Sequence, residues 1–124
     1  MTHVTKQTAQ LLKEKGFDLP CLAWYIVGDE IMRSTTDFEE DTNSRFPNAF
    51  TAPELYKVPI WLRETKGVHV SVVPVNLWQQ WRMFIYLDAY PPQKTRLPEK
   101  PMDFDTHDQA LESGIIHALK HYVK

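Results

Sequence analysis

Three features of the amino-acid sequence predict a small α+β domain. Two stretches, "CLAWYIV" (21–27) and "VHVSVV" (68–73), are short and rich in β-branched and aromatic residues, the composition of strands. Each is followed closely by a second extended stretch, so strands come in adjacent pairs. Segments at 4–15, 51–67 and 105–124 instead place apolar residues at helical spacing. Paired strands between helices favour antiparallel hairpins over an alternating parallel arrangement. The expected order is helix–hairpin–helix–hairpin–helix, with a four-stranded, mostly antiparallel sheet packed against the helices. At 124 residues the chain reads as one domain, 1–124.

The first helix is predicted over 4–15, where Val4, Thr8, Leu11, Leu12 and Lys15 recur on one side. Gly16 suits the left-handed cap position, which returns Phe17 onto Leu12. Residues 21–27 and Glu30 to about Arg33 form the first hairpin, with Gly28-Asp29 as its turn. The stretch 34–50 has no sustained periodicity and reads as a long, solvated loop. Its acidic run (Asp37, Glu39, Glu40, Asp41) lacks the glycine and distant glutamate of a calcium-binding EF-hand loop.

The second helix is expected over 51–67, with Thr51 and Glu54 spaced as a capping box and Leu55, Val58 and Leu62 as its stripe. Pro59 interrupts it: either the helix kinks there or its regular part begins near Val58, and the kink is favoured, since the stripe continues beyond. "LLKEKGF" and "WLRETKG" each close a helix ahead of a strand pair, a hint of duplication. In the second hairpin Val68, Val70 and Val72 alternate with His69 and Ser71. Trp81, Met83, Ile85 and Leu87 alternate with Arg82, Phe84 and Tyr86. The proline-rich 89–104 is expected to run extended along the surface. In the last helix Leu111, Ile115, Ala118, Leu119 and Tyr122 form the buried stripe, with Thr106 or Asp105 as cap.

Composition removes several functions. Net charge is −2, so no global basic field holds a phosphate backbone. The polar start "MTHVTKQTAQ" does not read as a signal peptide, and no apolar run spans a bilayer. The single cysteine, Cys21, reads as a small buried residue and fits a reducing compartment. The expectation is a cytoplasmic chain without a membrane partner. The four glycines are too dispersed for a phosphate loop, and Ser113 sits within a helix instead of on a nucleophile elbow. His117 and His121, four residues apart, face away from the last helix's apolar stripe. "HALKH" lacks the glutamate of a zinc-protease motif, and two ligands fall short of a structural zinc site. No catalytic residue, cofactor or metal is expected.

The aromatics carry what signal there is. Trp61 and Trp81 read as core. Trp78 lies in the polar connection "VNLWQQ" and is a candidate for a partner surface. If Val68, Val70, Val72, Met83, Ile85 and Leu87 pack against helices, then His69, Ser71, Arg82, Phe84 and Tyr86 face the other way, joined by Tyr25. The candidate partner surface is therefore Trp78, Phe84, Tyr86, His69 and Arg82, unless 34–50 or 89–104 covers it.

"LLKEKGFDLPCLAWY", "TAPELYKVPIWLRETKGVHV" and "DFDTHDQALESGIIHALK" resemble a group of short uncharacterised proteins carried by prophages and conjugative elements of Bacteroides-type gut bacteria. The marks are Trp61-Leu62-Arg63-Glu64 before a His-containing strand and Ala110-Leu111-Glu112 opening the last helix. The resemblance covers most of the chain in order, omits the acidic loop and the proline-rich stretch, and departs at Pro59, where the group's helix is uninterrupted. It implies the α+β layout and a mobile-element origin, and assigns no activity. The leading expectation is a binding or accessory module acting on a protein partner or as a homo-oligomer. A nucleic-acid binder using Lys57, Arg63, Lys94 and Arg96, and a small enzyme or metal protein using His69, His117 and His121, are the alternatives.

Overall fold

The computed structural model describes residues 2–28, 31–34, 42–43, 48–77, 79–87, 93–95 and 103–123. The chain is α+β, with three helices and two sheets whose strand pairings are all antiparallel. It divides into two compact units, Met1–Glu54 and Leu55–Lys124. The acidic run at 37–41 and Trp78 lie outside the described residues.

In the first unit, α1 (Lys6–Glu14) begins at Thr5, whose hydroxyl accepts from the Thr8 amide. Its apolar face is Val4, Ala9 and Leu12 with Thr8, all fully buried. Gly16, at φ +90°, closes it: the Phe17 amide donates to the Leu12 carbonyl and the Gly16 amide to that of Lys13. That pair of bonds is the Schellman closure, and Phe17 and Leu12 are both buried behind it. The first sheet has the order β2-β1-β3, from β1 (Ala23–Ile26), β2 (Arg33–Ser34) and β3 (Ala49–Thr51). β3 was not expected. It occupies β1's second edge, pairing Trp24 with Thr51 and Ile26 with Ala49. Lys13 reaches it from α1, its Nζ donating to the Ala49 carbonyl at 2.9 Å and lying 5.5 Å from the Phe50 ring centre.

In the second unit, α2 (Lys57–Trp61) continues into a π-helical turn at Leu62–Lys66, closed by left-handed Gly67. The expected capping box at Thr51 and Glu54 is corrected: Thr51 belongs to β3, and Glu54 forms an isolated bridge with His3. Of the two readings of Pro59, the structure has the regular helix beginning beside it, at Lys57, in place of the favoured kink. Pro59 lies in the first turn of α2, where a backbone N–H has no intrahelical acceptor, so its absence costs little. The helix widens later, at the π turn, where the Gly67 amide bonds to the Leu62 carbonyl.

β4 (Val68–Val75) and β5 (Gln80–Leu87) form the long hairpin, pairing Val68 with Leu87 through to Val75 with Gln80. β5's other edge takes two short strands from the proline-rich stretch, β6 (Gln93–Thr95) and β7 (Asp103–Phe104). They are not one continuous ladder. Thr95 and Asp103 are eight residues apart, while their partners Ile85 and Arg82 are three apart. The two expected hairpins lie in separate sheets, one completed by β3 on β1's edge and the other by β6 and β7 on β5's.

α3 (His107–His121) starts at Thr106, whose Oγ1 accepts from the Gln109 amide at 3.1 Å. It buries Ala110, Leu111, Gly114, Ile115, Ala118 and Leu119, whereas Tyr122 is half-buried at the cap. Gly114 sets the helix–sheet distance. A Cβ built there would lie 2.8 Å from Val70 Cγ1 and 3.5 Å from Met83 Cβ. In an exposed helix Gly→Ala gains about 1 kcal/mol. Here overpacking against a β-branched neighbour costs about 1–3 kcal/mol and outweighs it. Gly114→Ala is expected to destabilise by on the order of 1 kcal/mol. Urea unfolding reads it, and a stabilised variant would mean that the helix backs away from β4 at no cost.

Candidate functional site

The close approach of Gly114 to Val70 and Met83 fixes which face of β4–β5 meets α3. Val68 and Ile85 on that face are buried, and Trp81 at its end stacks edge-on against His107, ring centres 5.2 Å apart. Strand alternation turns His69, Ser71 and Val73 of β4 the opposite way, with their register partners Tyr86, Phe84 and Arg82. Four of the five residues expected to form a partner surface therefore share one face. His69, Arg82, Phe84 and Tyr86 are each half-buried, and Val73 among them is 37% exposed. The fifth, Trp78, is outside the described residues.

Tyr25 does not join them. It is buried in the first unit, and its hydroxyl donates to the Val4 carbonyl at 2.9 Å. A tyrosine can satisfy its hydroxyl inside a core in this way, which sequence alternation alone does not distinguish from an outward face.

Arg82 is anchored by the strand that follows it on the sheet edge. Its Nε donates to Asp103 Oδ1 at 2.7 Å and its Nη2 to Oδ2 at 3.2 Å, a two-point pairing set by the Arg82–Asp103 register of β5 and β7. These hydrogen bonds hold the Asp103 carboxyl below, and the Arg82 guanidinium above, their ordinary ranges. The partnership was not legible beforehand, because a two-residue strand leaves no periodic trace.

The hairpin tip adds a residue that sequence reasoning missed. Asn76 and Leu77 both take left-handed φ, 53° and 56°. Asparagine tolerates that region and leucine does not, at about 1–2 kcal/mol for a residue with a branched apolar side chain. Leu77 is also 92% exposed. The signal available in sequence was "PVNLWQQ", a tight connection without glycine.

No family model, curated protein or solved structure matches this chain. Its chemistry is therefore read from its own side chains. Among the described residues no three His, Cys, Asp or Glu side chains gather to hold a metal ion. Cys21 is buried, its thiol near the Leu19 carbonyl at 3.5 Å, as its sequence position implied. His117 is half-buried and His121 exposed near the end of α3, their ring centres 4.4 Å apart. Partial burial, and then the charge on His121, hold His117 below the ordinary histidine range. Lys57 and Arg63 are exposed. Lys94 lies in β6, whose side chains are outside the description, as is Arg96 altogether. Among the described residues no helix is long and apolar enough to cross a membrane.

Proposed function

We propose that the chain is a cytoplasmic accessory module of a prophage or other mobile element, acting by contact with another protein. The contact surface is the β4–β5 face turned from α3, with Leu77 at its tip. The observation that carries this reading is Leu77, an apolar side chain 92% exposed and held at φ 56°. Single exposed leucines are ordinary. One that also costs backbone strain at a hairpin tip stabilises nothing in the isolated chain, and strained positions of this kind concentrate where a surface is used. Down the hairpin from it lie Arg82, already oriented by Asp103, then half-exposed Phe84, and Tyr86 with His69 at the far end, the aromatic and arginine mixture that protein interfaces favour.

The test separates strain from use. Leu77→Asn places a left-handed-tolerant residue at the tip, so the fold is expected to gain about 0.5–1 kcal/mol. The same substitution, and separately Phe84→Ser with Tyr86→Ser, is expected to abolish association, read by light scattering and by retention of protein on the immobilised chain. Retention of nucleic acid in place of protein, association undiminished in both variants, or a Phe84/Tyr86 variant that unfolds would each sink the proposal.

A further inference from the structure

The end of α3 carries an arrangement that the partner surface does not use. His117 and His121 are four residues apart, so their side chains rise from the same helical face one turn apart. Their ring centres are 4.4 Å apart and their planes are inclined by 38°. Two imidazoles bound to one transition-metal ion through metal–nitrogen bonds of about 2.0–2.1 Å have ring centres roughly 4.5 Å apart for a right angle at the metal and roughly 5.2 Å apart for a tetrahedral one. The observed separation lies just below that range, so chelation needs the two rings to turn and part until a nitrogen of each faces the same ion.

We propose that His117 and His121 form a two-nitrogen site for a divalent transition-metal ion of the zinc class. Imidazole nitrogen suits that class and not calcium or magnesium, which take oxygen ligands. The helix supplies preorganisation: both ligands stand on one rigid backbone turn, so binding orders two side-chain rotamers and no loop. His121 is exposed and His117 half-buried, which leaves the ion open to solvent on one side. The remaining coordination positions are filled by water, so the site is weaker than a structural zinc centre with three or four protein ligands. Bound metal would clamp the last turn of α3, which ends at His121 with Tyr122 as its cap.

Zinc titrated calorimetrically into the whole chain at neutral pH tests this. The expected result is one zinc per chain. His121→Ala and His117→Ala each weaken binding by roughly tenfold or more, since losing a direct ligand costs at least what losing a ligand's supporting partner does. His107→Ala, on the same helix, serves as the control and is expected to bind like the parent. Zinc is also expected to raise the thermal midpoint of the parent chain and not of His121→Ala. If His117→Ala fails to fold, the exposed His121 decides alone. Parent-like affinity in His121→Ala, or no binding by the parent at about millimolar zinc, overturns the proposal.

Discussion

Asn43→Ala is expected to destabilise the protein by about 2–5 kcal/mol, among the larger effects available to one surface-sized side chain. Asn43 is 6% exposed. Its Nδ2 donates to the Phe17 carbonyl at 2.7 Å, and its Oδ1 accepts from the Thr51 amide at 2.8 Å. The first bond holds the residue that follows the cap of α1. The second satisfies an amide of β3, the strand that completes the first sheet. Alanine removes both partners and leaves a buried carbonyl and a buried N–H, each at about 1–3 kcal/mol. Asn43→Asp is the informative companion. It keeps an acceptor for the Thr51 amide but sets a carboxylate oxygen against the Phe17 carbonyl, so it is expected to recover only part of the loss. Chemical unfolding monitored by tryptophan fluorescence reads both variants. A loss below about 0.5 kcal/mol for the alanine variant, the range of ordinary surface changes, would show that water replaces the two bonds without penalty.

Asn43 also marks where sequence reasoning stops. The cap of α1 was legible, because Gly16 before an apolar Phe17 is a local signal with a local mechanism, and its φ is +90°. The β4–β5 hairpin was legible because alternation within 68–73 and 81–88 assigns a face to each strand's residues. From that alternation came the grouping of His69, Arg82, Phe84 and Tyr86. β3, β6 and β7 are only two or three residues long and are recruited by unfilled sheet edges, so pairing and not periodicity makes them strands. For the same reason "TDFEEDTNSRFPNAF" read as solvated loop although Asn43 within it is buried. Pro59 left two readings open, because the same residue breaks a helix interior and suits a first turn; the continuing stripe, and Thr51 and Glu54 imitating a cap, favoured the kink over the true start at Lys57. The proposed surface divides in the same way: that His69, Arg82, Phe84 and Tyr86 share a face follows from strand alternation, whereas Asp103 and Leu77 depend on a short edge strand and on one turn's backbone.

Ile115→Ala is expected to cost about 2–5 kcal/mol, and the local packing argues for the upper part of that range. Ile115 has no exposed surface and follows Gly114, whose missing side chain lets α3 approach Val70 and Met83 closely. The cost of a cavity depends on how far its walls can collapse. Here the helix already rests against the sheet at Gly114, so it cannot move inward to fill the space left by the isoleucine. Leu111, Ala118 and Leu119, the other buried residues of that face, lie within one turn on the same rigid helix. Ile115→Val should cost about 0.5–1.5 kcal/mol, and the ratio between the two variants measures collapse directly. Lys120→Ala, on the exposed side, should stay within about 0.5 kcal/mol. A loss under about 1 kcal/mol for Ile115→Ala would mean that α3 shifts to close the cavity. The contact between Gly114 and Val70 would then not be what sets the spacing of helix and sheet.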